Sequence, residues 1–155
     1  MQITAISDDS IVSSFPIAII TSVFNRQVTK ALQEGAISQL LKRGFNEQDI
    51  RLFEVPGAVE IPLVAKRLAM QKSVQAIITL GAVIRGETSH YDLVCHMVSQ
   101  GCLQVSLEYN MPVLFGVLTT ENEEQAWDRL GGKAGHKGVD VANAAISMHQ
   151  TLGQL

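Results

Sequence analysis

AIITLGAVIRGETSH, residues Ala76 to His90, reads as a strand, a turn and the start of a helix. Ala76 to Ile84 is an apolar run without alternation, the pattern of a strand covered on both faces. Gly86 breaks the run and lets backbone approach a ligand closely. Thr88 and Ser89 stand where a helix begins, so their hydroxyls and the free N–H groups of the first turn can hold an anion. His90 follows in that turn, and a helix is expected from Ser89 to Tyr109 with Leu93, Met97 and Val98 turned inward.

The same alternation extends in both directions. Upstream, Ile17 to Val23 is a short β-branched run. Gln27 to Arg43 follows, with Val28, Leu32, Ala36, Leu40 and Leu41 at helical spacing and Gly44 as its stop. Ile50 to Val55 is the next strand, and Ile61 to Met70 a helix that tolerates Pro62 in its first turn. Downstream, Pro112 to Leu118 is a strand. A short helix is expected from Glu123 to Leu130, opened by a Thr120–Glu123 capping box and ended by Gly131 and Gly132. The last helix runs from Gly138 to Leu152. Strands alternating with helices predict an α/β fold, a three-layer αβα sandwich around an open parallel sheet of flavodoxin-like type. Residues 15–155 read as a single domain. Residues 1–14 read as an N-terminal arm, in which Gln2 to Ile6 is one further strand candidate.

A chain of 155 residues suits one domain. Hydrophobic residues reach 46% against 17% charged, which fits a sheet covered on both faces or a subunit that hides surface in an oligomer. The net charge of −3 gives no electrostatic reason to expect nucleic acid or an anionic membrane as partner. No apolar run reaches the roughly 18 residues of a spanning helix. The first residues lack a basic segment followed by an apolar block, so the cytoplasm is the expected compartment. Cys95 and Cys102 share one helix, about 10 Å apart, too far for a disulfide. Both are expected as reduced, buried thiols.

In parallel sheets, ligands bind beyond the carboxyl ends of the strands. Four junctions lie there: Phe24-Asn25-Arg26, Pro56 to Glu60, Gly81 to His90, and Phe115 through Asn122. No dinucleotide GxGxxG, P-loop or zinc-ligand spacing occurs among them. An anion site beside an imidazole suits proton transfer on a phosphorylated small molecule, or else it is a helix cap beside a surface histidine. Phe24 either packs in the core or stacks on a planar heterocycle; Phe115, inside a strand, has the same two readings. Glu60 either complements a helix N-terminus or accepts hydrogen bonds from hydroxyls. Arg129 suits the last turn of a helix, as cations do. Lys137, just before a helix, opposes the dipole there and so points weakly to function. Glu87, His96, His136 and His149 read most simply as solvated or structural.

Taken together, these stretches resemble the lumazine synthase family. The resemblance is carried by Phe24-Asn25, by Val55 to Pro62, by Gly81 to Asp92 and by Phe115 to Asn122. Glu124 through Arg129 and Lys133 to Gly138 complete it, so it spans about residues 15 to 150 in the family's order. It implies the joining of 5-amino-6-ribitylaminouracil to 3,4-dihydroxy-2-butanone 4-phosphate, with release of phosphate and water and no metal or organic cofactor. It implies that Phe24 stacks on the pyrimidine, that Ala58, Val59 and Glu60 line the ribityl chain, and that Ala82, Val83 and Ile84 present backbone to the pyrimidine. Gly86, Glu87 and Thr88 would cradle the phosphate and His90 would move protons. Phe115, Arg129 and Lys137 would reach in from the adjacent subunit, Arg129 onto the phosphate, with Asn25 and Lys137 as accessory residues.

The resemblance further implies a homo-oligomer built on pentamers, which in some members close into a 60-subunit shell, with riboflavin synthase as the candidate protein partner. Three positions depart from the commonest pattern: Val23 where arginine is frequent, Val59 where an aromatic is frequent, and His136 where asparagine is frequent. None removes a proposed catalytic group. The rival readings are an archaeal-type riboflavin synthase or lumazine carrier, a flavin- or nucleotide-binding module, and a purely structural shell protein. The Gly86 to His90 segment with Arg129 favours the synthase, because the lumazine product carries no phosphate.

Overall fold

The apolar runs become four strands: β1 (Ile17–Ser22), β2 (Ile50–Val55), β3 (Ala76–Ile84) and β4 (Val113–Thr120). The computed structural model describes residues 10–155, so the strand expected at Gln2 to Ile6 lies outside the described residues. All pairings in this sheet are parallel, in the order β2-β1-β3-β4. The helices are α1 (Arg26–Lys42), α2 (Ile61–Gln71), α3 (His90–Tyr109), α4 (Glu123–Asp128) and α5 (Lys137–Leu152).

Side chains alternate across a strand, so one strand feeds two cores. Ile17 and Ile19 of β1 pack with Ile78 and Leu80 of β3, under Leu32 and Leu40 of α1 and Ala142 and Ile146 of α5. Ala18 and Ile20 face the other way with Ile77, under Ile61 and Leu68 of α2 and Val98 and Cys102 of α3. This makes the three-layer α/β sandwich. Each fully buried Ile or Leu contributes about 1.5–3 kcal/mol by leaving water. Every position of β1 is buried, which explains why its sequence shows no alternation.

The largest polar groups inside, Arg43 and Gln39, are paired, whereas the buried Ser22 hydroxyl has no partner among the described residues. Arg43, fully buried, donates from Nε to the Ser10 carbonyl at 2.6 Å and from Nη1 to Asn143 Oδ1 at 2.7 Å. Gln39 Nε2 donates to the same Asn143 oxygen at 3.0 Å. The network fastens residue 10 and α1 to α5. Gly44, at φ 96°, then turns the chain out of α1 in the left-handed conformation typical of a helix end.

Several local expectations are corrected. Leu93 and Met97 do not point inward; they are 62% and 57% exposed, and the buried face of α3 is Val98, Cys102 and Val105. Apolar residues occupy both faces of this helix, so periodicity alone does not choose between them. The Thr120–Glu123 capping box does not form. Thr120 belongs to β4 and donates to the Asn122 carbonyl, while the Asn122 side chain caps α4 by accepting from Gln125 N at 2.9 Å. Helix α4 stops at Asp128, short of Leu130. The glycines beyond it build a small antiparallel hairpin, β5 (Leu130–Gly132) with β6 (Gly135–His136), in which Gly131 and Gly135 take positive φ. Lys137 is the first residue of α5 rather than the one before it, and His136 is its cap, with Nδ1 accepting from Val139 N at 3.4 Å. Both cysteines are free, and burial pushes the Cys102 thiol up to about 11.

Candidate active site

The chain leaves β1 for β2 on one side and returns to β3 on the other. The switch point of the sheet therefore lies between the carboxyl ends of β1 and β3, where such folds open a crevice. A pocket of about 370 Å³ opens there.

Its first wall comes from the end of β1. Val23 N donates to the Val55 carbonyl and Phe24 N to the Pro56 carbonyl, so the chain stays tied to the β2 edge for two residues past the strand. Asn25 then adopts the left-handed conformation (φ 60°, ψ 49°), which asparagine tolerates better than most residues. Its side-chain amide donates to the Ala82 carbonyl at 2.8 Å, bridging β1 to β3. The bend leaves the Phe24 ring 72% exposed at the pocket rim, so Phe24 is not a core residue of this chain.

The floor is Ala82, Val83 and Ile84 at the end of β3. Gly57, Ala58 and Val59 close one side. They lead into a short 3-10 turn, Ala58–Glu60, held by Glu60 Oε2 accepting from Gly57 N at 2.8 Å. Glu60 itself is exposed and does not line the pocket. Both of its expected roles, capping and accepting from hydroxyls, use the same carboxylate.

The remaining wall is Gly86, Thr88 and His90, with Tyr91 and Val94 from the first turns of α3. Space around Gly86 is open: nothing lies within 4 Å of where its Cβ would stand. Thr88 Oγ1 accepts from His90 N at 3.3 Å, which sets the start of the helix. Tyr91 is half-buried; desolvation raises its phenol pKa, and its hydroxyl has the Cys95 thiol and Thr119 as partners. Gly57, Tyr91 and Val94 were not among the expected residues. The signal for Tyr91 and Val94 was present, since positions 90, 91 and 94 share a helix face with His90.

Nine expected site residues thus meet at one pocket: Phe24, Ala58, Val59, Ala82, Val83, Ile84, Gly86, Thr88 and His90. The others do not line it in the single chain. Glu87 is exposed and outside the lining. Phe115 is half-buried against the core beneath α2 and α3. Arg129 caps its own helix, donating from Nη1 to the Gln125 carbonyl at 2.8 Å. Lys137 is joined to it through Lys137 N donating to the Arg129 carbonyl at 2.8 Å. Among the described residues, no cluster of three His, Cys, Asp or Glu could hold a metal ion, and no helix is long and apolar enough to cross a membrane.

This arrangement pairs an exposed aromatic ring and an apolar floor with a glycine–hydroxyl–imidazole wall. It can hold a planar heterocycle beside a small anion and exchange protons with them. Comparison with known proteins gives the family. The 6,7-dimethyl-8-ribityllumazine synthase family profile matches residues 14–153. A 6,7-dimethyl-8-ribityllumazine synthase of Coxiella burnetii (strain RSA 493 / Nine Mile phase I) is 54% identical over 143 residues, covering 92% of this chain and 95% of the relative. One from Pediococcus pentosaceus is 52% identical over 136 residues, covering 88% and 87%. With that extent of matching sequence and a pocket at the switch point of the expected sheet, the chain belongs to the 6,7-dimethyl-8-ribityllumazine synthase family.

Proposed function

We propose that the chain condenses 5-amino-6-ribitylaminouracil with 3,4-dihydroxy-2-butanone 4-phosphate. The products are 6,7-dimethyl-8-ribityllumazine, phosphate and water, and the reaction is the penultimate step of riboflavin biosynthesis. The enzyme is a transferase and uses no metal or organic cofactor. The observation that carries this reading is the meeting of Phe24, the Ala82–Ile84 floor and the Gly86–Thr88–His90 wall in one pocket.

The chemistry follows from those positions. Phe24 stacks on the pyrimidine, while Ala82, Val83 and Ile84 hold its edge. Ala58, Val59 and Glu60 flank the ribityl chain, with the Glu60 carboxylate as acceptor for its hydroxyls. Gly86, Glu87 and Thr88 take the phosphate at the start of α3. An amine of the pyrimidine attacks the ketone, water leaves and an imine forms. Phosphate departs, and the second amine attacks the carbonyl that this elimination leaves, closing the ring with loss of a second water. His90 exchanges the protons of these steps. Holding the two substrates in register supplies much of the rest.

Arg129, Phe115 and Lys137 serve a neighbouring subunit's pocket in this reading, Arg129 as its phosphate ligand. The chain acts as a homo-oligomer built on pentamers, of the kind that can close into a 60-subunit shell, with riboflavin synthase as a partner in the cytoplasm. The apolar face of α3 supports subunit association: Leu93, Met97, Leu103 and Leu107 are all exposed in the single chain.

Incubating the pure protein with both substrates and following lumazine fluorescence tests the reaction. Product should form with chelator present. No product would overturn the reading, and activity lost to chelator and restored by a divalent ion would overturn its cofactor-free part.

A further inference from the structure

Arg85 does not line the pocket, yet it holds together three elements that do or that flank it. Its backbone N–H extends the β3–β4 ladder by donating to the Thr120 carbonyl at 2.9 Å. Its Nε donates to Glu121 Oε2 at 2.6 Å, just past β4. Its Nη1 and Nη2 donate to the two carboxylate oxygens of Asp92 at 3.4 and 3.2 Å, in the first turn of α3. The guanidinium carbon lies 4.3 Å from the centre of the Tyr91 ring, itself a pocket wall. The Asp92 and Glu121 side chains stay more than half exposed, and that of Arg85 more than a third.

Two consequences follow. Arg85 and Asp92 bracket residues 86–91, so their forked pair closes the base of the loop that carries Gly86, Thr88 and His90. Arg85 also offsets the charge of two carboxylates, Asp92 and Glu121, beside the stretch proposed to hold a phosphate, cancelling one of their two negative charges. An isolated exposed ion pair contributes little, but a forked and ring-stacked guanidinium shared by two carboxylates is the geometry in which such pairs count. Left unpaired, Asp92 and Glu121 would repel an anion held beside them, the more so at low salt.

We propose that Arg85 is a positioning residue for the phosphorylated substrate: it offsets one of the two negative charges of Asp92 and Glu121 and fixes the Gly86–Ser89 loop, without touching substrate. The inference rests on the reading of that loop as the phosphate site.

The test uses inorganic phosphate as a binding probe, followed by calorimetry, together with the two Michaelis constants. Arg85→Met should weaken phosphate binding by roughly 5- to 20-fold, the scale of one further uncompensated charge near a partly exposed anion. The KM of the phosphorylated substrate should rise alike, the KM of the pyrimidine should stay, and the loss should shrink as salt is raised. Adding Asp92→Asn and Glu121→Gln to Arg85→Met should restore most of the phosphate affinity, which a merely structural role would not allow. Equal loss for both substrates, no loss, or no rescue would overturn the proposal. Should Arg85→Met fail to fold, the Asp92→Asn/Glu121→Gln protein frees the Arg85 charge and must bind phosphate at least as tightly as the wild type; weaker binding overturns the proposal as well. Failure of the enzymatic reading itself shows separately, as a wild-type protein that forms no lumazine.

Discussion

Replacing Phe24 by alanine separates binding from folding more cleanly than any other change at the pocket. A phenylalanine side chain taken fully out of water contributes about 1.5–3 kcal/mol. At 72% exposure, Phe24 loses only a small part of that on truncation, about 0.4–0.8 kcal/mol. For a domain of this size the melting temperature should fall by only about 1–3 °C. Its backbone contacts, Phe24 N to the Pro56 carbonyl and the Asn25 bridge to Ala82, do not depend on the ring. Stacking of an aromatic side chain on a planar heterocycle is worth about 1–3 kcal/mol, which corresponds to roughly 5- to 150-fold in affinity. The KM of the pyrimidine substrate should therefore rise by that factor at saturating butanone phosphate, while the KM of the phosphate substrate changes little. Phe24→Leu keeps the bulk but not the π face and should fall between. The assay is steady-state lumazine fluorescence, paired with thermal melts of each variant. A drop of more than about 6 °C would mean that the ring is structural, and an unchanged pyrimidine KM would refute the stacking role.

Three further outcomes are expected. His90→Ala should lower turnover by roughly 10- to 1000-fold with melting and assembled size unchanged, because His90 is exposed; a variant that fails to fold or assemble would reassign it as structural. Gly86→Ala should leave stability unchanged but raise the KM of the phosphorylated substrate. Gly138→Ala, whose Cβ would meet the Leu32 carbonyl at 2.2 Å, should cost about 1–3 kcal/mol of stability, and the opposite pattern in a melt-and-kinetics comparison counts against both readings. Equal amounts of His90→Ala and Arg129→Ala, refolded together, should recover about a quarter of wild-type activity if each site spans two subunits of a ring. Tagged mixed rings that show only the average of the two variants would place each site within one chain.

The mainly apolar, non-alternating runs Ile17 to Val23 and Ala76 to Ile84 specified the buried strands without help from the rest of the chain, because burial on both faces removes the alternation. The helix stop at Gly44 was legible for an equally local reason, the backbone freedom that glycine has more than any other residue. The stretch from Gly81 to His90 pointed to a site because glycine, hydroxyls and imidazole fall together at one strand end, and Gly86, Thr88 and His90 do line one pocket. Other features depend on packing between parts distant in sequence. Apolar residues ring α3, and only the placement of α2 and the sheet decides that Val98 and Cys102 turn inward while Leu93 and Met97 face out. The Thr120–Glu123 spacing satisfied a capping rule, yet Thr120 was already committed to β4 beside Ile84, so the cap passed to Asn122. That Phe24 meets Val83 and His90, or that Arg85 reaches Asp92 and Glu121 together, follows from the strand order β2-β1-β3-β4. Local patterns set the conformation of each segment, because φ, ψ and burial are decided within a few residues; the neighbours of each strand end are set by how the segments pack, to which residues far apart in the chain contribute jointly.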